Sequence, residues 1–250
     1  MYLREKCYDI HELAKSNLHV HTSFSGCAKP EMRMKDMVRR AGELGLEMVA
    51  ITDHFNDPAT PILEKNLCDR FVLENYRDDV KTKFLFGAEL SAVGVGKYLD
   101  SDEVNAKLDY RLYAANHYHL DMWEQPEEKS PRGYAEHTIK VLTALILSHR
   151  ADCIAHPCIG GYVHALGDDK GSLTRAITDN ELGDLLSLAR DNNVAWEINE
   201  GEAIEFADFS ERFWNIGKEV GVVFHFGTDA HTLQNMDTFK NMSVLEKIFK

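Results

Sequence analysis

Short apolar segments alternate with longer amphipathic segments along the whole 250-residue chain. The short segments have the length and composition of β-strands, and the longer ones repeat their apolar residues at helical spacing. We predict seven strands, at LHVH (18–21), MVAITDH (48–54), FLFGAEL (84–90), RLYAANHYH (111–119), CIAHP (153–157), VAWEIN (194–199) and VVFHFGTDAH (222–231). Helices are predicted between them, at 30–45, 61–80, 134–150, 178–193 and 208–221.

Local signals refine these elements. Pro30 suits the first position of a helix, and Thr178 and Glu181 have the spacing of a helix-capping box. The polar segments 94–109 and 122–133 are predicted to be loops or a lid.

Apolar strands that alternate with helices indicate a parallel sheet covered by helices, and seven such units are enough to close a barrel. Because α/β barrels of this length usually form one domain, we expect a single domain over residues 1–250. In such a barrel the loops that follow the strands gather on one face, where the chemistry takes place.

The net charge of the chain limits which molecules it is expected to bind. The chain has 28 Lys and Arg residues against 41 Asp and Glu residues, a net charge of −13, so no broad nucleic-acid-binding surface is expected. Small anionic substrates remain compatible, because bound divalent cations can reverse the local field.

The first fifteen residues lack the apolar core of a secretory signal, and the longest apolar run, 141–147, is far too short to span a membrane. Five cysteines without a C-x-x-C pair favour reduced thiols. We therefore expect a cytoplasmic protein that is not embedded in a membrane.

Residues of the types that bind metal ions end every predicted strand. His19 and His21 point to the same side of the first strand, because side chains alternate along an extended chain. The residues at the strand ends are His19, His21, Asp53, His54, Glu89, His117, His119, His156, Glu197, Asp229 and His231.

Each of these residues alone has an ordinary structural explanation, and an isolated H-x-H pair is more often a polar strand face. Other histidines, including His11, His137, His149 and His164, lie away from strand ends. The coincidence at successive strands nevertheless favours a metal centre. His119 and His225 are interpreted as structural or supporting residues.

The segments LHVHTSFS, ITDH, GAEL, ANHYH, IAHP, EIN and GTDAH resemble, in this order, the successive motifs of the polymerase and histidinol phosphatase (PHP) superfamily. The resemblance covers roughly residues 18–231. It implies a distorted seven-stranded, TIM-like β/α barrel, two or three divalent metal ions at the carboxyl ends of its strands, and phosphoester hydrolysis.

The resemblance also implies a ligand set. One ion would be held by His19, His21, Glu89 and Asp229, and a second by Glu89, His117 and His156. A third would be held by His54, His231 and the residue six positions after His21, which in the family is often histidine and here is Cys27.

Cys27 leaves two interpretations open. A thiolate is a good ligand for zinc and a poor one for magnesium or manganese, so Cys27 would bias a third position toward zinc. Alternatively Cys27 is an ordinary loop cysteine, and the third position is weak. The metal is expected to be Zn, Mn or Fe.

Two ions bridged by Glu89 would lower the pKa of a water between them and direct the hydroxide at phosphorus. Glu89, Asp229 and His231 are therefore the expected catalytic residues, with His231 or its ion assisting the departing alkoxide. Glu197 and Asp53 are expected to hydrogen-bond ligand histidines. Activity is expected to fall when the histidines protonate, below about pH 6.5.

The leading hypothesis is hydrolysis of a small phosphomonoester, with histidinol phosphate as one candidate. A phosphodiesterase or nuclease acting on nucleotides or short oligonucleotides, a non-catalytic metal- or ligand-binding module, and an amide or ester hydrolase are the alternatives. No substrate contact is assigned. The side chains considered are Lys97, Arg132, Lys170, Arg175, Tyr98, Tyr118, Trp123 and Tyr162.

Overall fold

Parallel strands form two sheets in the computed structural model, which describes residues 5–76, 81–157 and 163–250. The strands are β1 Ser16–Val20, β2 Met48–Ile51, β3 His54–Phe55, β4 Lys83–Phe86, β5 Ala88–Gly94, β6 Lys97–Tyr98, β7 Arg111–Ala114, β8 Cys153–Ile154, β9 Ala195–Asn199 and β10 Phe224–Gly227. One sheet has the order β1-β2-β4 and the other the order β10-β9-β8-β7-β5-β3. Strand β6 pairs with β5 in the antiparallel sense, and the other ladders are parallel.

The helices are α1 Ile10–Leu13, α2 Met34–Leu44, α3 Ile62–Tyr76, α4 Asp102–Lys107, α5 Pro131–Leu147, α6 Ser172–Ala176, α7 Asp179–Asp191, α8 Glu200–Glu205, α9 Ala207–Val220 and α10 Met242–Ile248. Two short 3-10 helices cover His164–Leu166 and Leu233–Met236. No helix in the described ranges is long and apolar enough to cross a membrane.

The structure corrects the predicted strand count, because two predicted strands are interrupted. MVAITDH divides into β2 and β3 at Thr52 and Asp53. The Thr52 hydroxyl accepts the Val20 N–H, and the Asp53 carboxylate accepts a backbone N–H of the loop after β1. FLFGAEL divides into β4 and β5 at Gly87, where a Cβ atom would lie 2.1 Å from the Tyr110 carbonyl oxygen. The described ladders therefore form two sheets, and the closed seven-stranded barrel stays a prediction.

Hydrogen bonds also join the outer edges of the two sheets. The His21 N–H donates to the Ala230 carbonyl at 3.0 Å, and the Ala230 N–H donates to the His19 carbonyl at 3.2 Å. These bonds connect the end of β1 to the turn that follows β10, so residues from the first and last strands lie side by side.

Other predicted boundaries also change. Helix α2 begins at Met34, so Pro30 lies in the loop before it and is not its first residue. The segment 94–109 contains β6 and α4, the latter capped by the Ser101 side chain, and is not simply a loop. The predicted helix 61–80 is observed as α3, and its residues 77–80 lie outside the described ranges.

Helix α7 has the predicted capping box. The Thr178 hydroxyl accepts the Glu181 N–H at 3.3 Å, and the Glu181 carboxylate accepts the Thr178 N–H at 3.0 Å. The buried face of this helix, with Leu182, Leu185 and Leu186, belongs to the main apolar core between helices and sheet.

The first prediction concerns this cap. Thr178→Ala removes the acceptor for one free helical N–H and is expected to lower the free energy of unfolding by about 1 kcal/mol. The melting temperature should fall by roughly 2–4 °C in a thermal melt. Ser187→Ala, within the same helix, is the matched control and should not destabilise the protein. Equal melting temperatures for Thr178→Ala and the control would contradict the prediction.

Candidate metal centre

The predicted metal-binding residues converge, most of them at or beyond the carboxyl ends of strands. Glu89 is predicted to end its strand but is the second residue of β5. His19 lies within β1 and His21 follows it, His54 begins β3, and Glu89 lies in β5. The remaining four follow later strands: His117 after β7, His156 after β8, and Asp229 and His231 after β10. Strands β7 and β8 end earlier than predicted, so His117 and His156 lie in the turns beyond them.

Glu89 lies at the centre of this group, and its two carboxylate oxygens face different histidines. Its Oε2 lies 2.5 Å from His54 Nδ1, 3.7 Å from His19 Nε2 and 3.8 Å from His21 Nε2. The side chain of Glu89 is 2% exposed. Such a carboxylate must be neutralised by cations or protons, because water cannot solvate it.

The other oxygen of Glu89, Oε1, lies 2.9 Å from His156 Nε2 and 3.7 Å from His117 Nε2. One carboxylate therefore reaches both of the histidine groups that the family resemblance assigns to separate ions.

Asp229 completes the group from the last strand. Its Oδ1 lies 2.9 Å from His21 Nε2, 3.4 Å from His19 Nε2 and 3.5 Å from His231 Nδ1. Asp229 and His156 have positive φ values of 50° and 29°. Non-glycine residues rarely adopt this region, and strain of this kind collects at functional sites.

Cys27 lies on the exposed side of the group. Its Sγ is 3.0 Å from His231 Nε2, and its side chain also interacts with the His54 side chain. The rings of His21 and His231 stack with their centroids 4.4 Å apart. Cys27 thus lies next to His54 and His231, but the set whose ligand atoms all lie within 4.8 Å of one another joins these two histidines to His21. The third position with Cys27 stays a prediction.

The unpaired atoms of the group fit a metal ion. His19 Nε2, His21 Nε2, Glu89 Oε2 and Asp229 Oδ1 are buried, and none makes a well-aligned hydrogen bond despite their close approach. Buried polar atoms are rarely left unsatisfied, and imidazole and carboxylate are the ligands of divalent transition metals. Four overlapping sets have their ligand atoms within 4.8 Å of one another: His21, His54 and His231; His19, His156 and Asp229; His19, His21 and Glu89; and Glu89, His117 and His156.

Comparison with known proteins identifies the family of this chain. The model of the PHP domain family matches residues 17–201. The chain belongs to the PHP domain family.

Two curated PHP relatives match most of the chain. A probable phosphatase of Aliivibrio fischeri is 27% identical over 240 residues, which cover 92% of this chain and 83% of the relative. A probable histidinol-phosphatase of Thermotoga maritima is 25% identical over 223 residues, covering 88% of this chain and 85% of the relative.

A solved structure shares the fold. It belongs to a candidate histidinol phosphatase of Listeria monocytogenes and superposes with a TM-score of 0.61 at 12% identity. The match covers 92% of this chain and 99% of the Listeria chain. At this identity the likeness shows the fold alone.

A second buried carboxylate, Glu197 of β9, hydrogen-bonds two of the predicted metal-binding histidines. It accepts a hydrogen bond from His19 Nδ1 at 2.8 Å and another from the His156 N–H at 2.6 Å. Gly227 makes room for it, because a Cβ there would lie 2.2 Å from Glu197 Oε1. Glu197 therefore fixes the ring of one histidine and the strained backbone of another.

Asn116 is a supporting residue that sequence reasoning missed. Its Oδ1 lies 3.1 Å from His156 Nδ1, and its amide donates to the His156 carbonyl at 3.0 Å. A buried asparagine next to a histidine has no distinctive spacing, so only its position inside ANHYH could have indicated it. Asp53 differs from expectation. Within the described ranges its carboxylate accepts hydrogen bonds from Thr22 and Ser25 and pairs with Lys65, and it makes no direct hydrogen bond to a histidine.

The basic side chains considered as substrate contacts are all paired with carboxylates. Lys97 pairs with Glu124, Arg132 with Glu181 and Glu136, Lys170 with Glu205, and Arg175 with Asp169.

The aromatic residues considered for a pocket mostly pack inside the structure. Tyr118 and Trp123 are buried, and the Tyr98 hydroxyl donates to the Ala144 carbonyl. Tyr162 lies outside the described residues. Of the two histidines interpreted as structural or supporting residues, His225 is buried against the Tyr110 hydroxyl, whereas His119 is exposed beside His164.

The histidines of the cluster differ in protonation. Burial lowers the pKa of His21 to about 4 and that of His117 to about 3. Burial also opposes protonation of His54 and His156. Glu89 together with Cys27 nevertheless raises the pKa of His54 to about 10, and Glu89 together with Glu202 and Glu197 raises that of His156 to about 9. Without metal ions, therefore, protonated histidines neutralise the buried carboxylates.

This protonation pattern predicts that metal binding releases protons. Imidazole binds a metal only when neutral. Burial opposes protonation of His19 as well, but Glu197 and Asp229 raise its pKa well above the usual value. At pH 7.5 His19, His54 and His156 must therefore each lose a proton, about three in total. The apparent affinity should therefore rise as the pH is raised from 6 toward 9. Calorimetric titration in buffers of different ionisation enthalpy measures the release. Binding heats that are the same in every buffer would contradict this prediction.

Proposed function

We propose that this PHP protein is a metal-dependent phosphatase that hydrolyses a small phosphomonoester. The observation that carries the proposal is the convergence of six histidines, Glu89 and Asp229 at the strand ends, with unpaired ligand atoms pointing at one another. The names of the curated relatives, probable phosphatase and probable histidinol-phosphatase, support the same reaction class.

We assign the ligands as the resemblance to the family implies. His19, His21, Glu89 and Asp229 would hold one ion, Glu89, His117 and His156 a second, and His54, His231 and Cys27 a third. The position of Glu89, with one oxygen toward each of the first two sets, supports a bridging role. Bound Zn, Mn or Fe ions would supply a hydroxide nucleophile and offset the charge that grows on the phosphoryl oxygens.

The chain's own residues orient this chemistry. Glu89 and Asp229 provide the fixed negative charge that keeps the cations in place, and Glu197 holds His19 in the tautomer whose Nε2 lone pair faces the site. His231, with 27% of its side chain exposed, lies on the open side of the cluster. We assign it to assist the departing alkoxide.

The charge distribution supports a small substrate. The net charge is −13, and the basic side chains considered as phosphate contacts form ion pairs with carboxylates. A long nucleic-acid strand would meet a repulsive surface, whereas one phosphoryl group could approach bound cations.

We also infer that the two sheets together make the distorted barrel of the family, and that residues 1–250 act as one domain. The hydrogen bonds between β1 and the turn after β10 support closure of the sheets. The four cysteines that the structure describes form no disulfide with one another, which is compatible with the cytoplasm.

The proposed reaction can be tested with chromogenic esters. The purified protein should hydrolyse p-nitrophenyl phosphate faster than bis(p-nitrophenyl) phosphate, and a chelator should abolish this activity until Zn, Mn or Fe is restored. Glu89→Gln is expected to lower the activity by more than about 100-fold, beyond the cost of losing a supporting partner. Glu127→Gln, on the exposed surface, is the matched control. A preference for the diester would favour the phosphodiesterase alternative.

Cys27 gives an independent prediction about the number of ions. Elemental analysis of protein purified without chelator is expected to find about three ions per chain, and about two in Cys27→Ala, if the thiolate is a ligand. Cys68→Ala is the control, because Cys68 is also exposed but lies on α3. Two ions in both proteins would show that the centre is binuclear and that Cys27 is not a ligand.

A further inference from the structure

Lys65 is a buried lysine that no motif of the sequence contains. It lies in the first part of α3, and only 7% of its side chain is exposed. Its ammonium forms an ion pair with Asp53, the residue before His54, and a second pair with Asp69 at 2.9 Å. Lysine is almost never buried unless it is paired, so this contact has a structural purpose.

Both carboxylate oxygens of Asp53 are occupied. Oδ1 accepts hydrogen bonds from the Thr22 N–H at 2.8 Å and the Ser25 hydroxyl at 2.7 Å. Oδ2 accepts the Thr22 hydroxyl at 2.7 Å and faces the Lys65 ammonium. Asp53 therefore ties the loop after β1, which carries Cys27, to helix α3.

Ser25, which is held by Asp53, contacts two histidines. Its oxygen accepts the His54 N–H at 3.1 Å and lies 3.4 Å from His21 Nδ1. A hydroxyl has one hydrogen, which Ser25 donates to Asp53, so toward His21 its oxygen can only accept. His21 then carries its hydrogen on Nδ1 and presents the Nε2 lone pair to the site.

The two supporting carboxylates thus serve different parts of the cluster. Glu197 contacts His19 and His156. Asp53 acts on the loop of Cys27 and, through Ser25, on His54 and His21. In the described ranges Glu197 pairs with no lysine or arginine, whereas Asp53 depends on Lys65.

We propose that Lys65 is a positioning residue for the third metal position, formed by Cys27, His54 and His231, and that it acts through Asp53 and Ser25. The proposal rests on the ligand assignment of the proposed function. Without the ammonium, Asp53 is a buried anion that must protonate or attract another donor, and either change releases the loop. The histidines held by Glu197 keep their own support.

The experiment is a cobalt titration of the metal-free protein. Cobalt(II) bound to a thiolate gives a near-ultraviolet charge-transfer absorption, so this signal reports on the Cys27 position, and Cys27→Ala shows which part of it belongs to Cys27. Lys65→Met keeps the length of the side chain and removes its charge. It is expected to shift the midpoint of this signal to a cobalt concentration about 10- to 100-fold higher, the usual effect of losing an outer partner. The midpoint of the visible cobalt absorption from the histidine and carboxylate positions should shift less than that of the thiolate signal, because Glu197 still holds His19 and His156.

Two further variants make the result interpretable. Lys140→Met makes the same substitution on the exposed face of α5 and should leave every midpoint unchanged. Ser25→Ala cuts the connection beyond the ion pair without burying an unpaired charge, and should reproduce the selective shift even where Lys65→Met folds poorly. A thermal melt of each variant records its folding.

Three results would overturn the proposal: a thiolate signal with the same midpoint in Ser25→Ala and the wild type, a parallel weakening of all positions, or no thiolate signal in the wild type. Hydrolysis of p-nitrophenyl phosphate is measured on the same samples. A selective shift in a protein without phosphatase activity would contradict the proposed function and leave the role of Lys65 intact.

Discussion

The organisation of the site follows from the burial of Glu89. A carboxylate that is 2% exposed has no access to solvating water, so positive charge must surround it. Five histidine nitrogens lie within 4 Å of its oxygens. The histidines can supply the positive charge when they are protonated, or they can bind metal ions that supply it. The strands of the sheet bring these nitrogens together, because parallel strands present their carboxyl ends on the same side.

The same constraint explains why the strands are irregular near the site. Thr52 and Asp53 leave the ladder between β2 and β3 and use their side chains to bind the neighbouring chain. Asp229 and His156 adopt positive φ angles that the surrounding hydrogen bonds maintain. Regular ladders would place these side chains on alternating faces, so the departures from regularity direct them toward one point.

The sequence predicts the alternation of strands and helices, the capping box at Thr178 and the gathering of histidines, because each depends on local spacing. It does not predict the breaks at Thr52 and Gly87, which depend on partners far along the chain, at Val20 and Tyr110. Pro30 does not start a helix, and the loop around it is bound to a distant segment, with the Lys29 N–H donating to the His231 carbonyl. Asn116 could not be found from pattern because its role exists only once His156 lies beside it.

The burial of Lys65 could not be predicted from a sequence motif. Its neighbours in sequence give it the pattern of an ordinary helix residue, and its charge alone suggests exposure. It is buried because Asp53, already committed to Thr22 and Ser25, still needs a counter-ion. The Lys65 ammonium also pairs with Asp69. The charge of Asp53 is therefore neutralised by residues outside the metal cluster. This separation lets the loop hold its geometry whether protons or metal ions occupy the histidines, since the partners of Asp53 do not include the ligand atoms themselves.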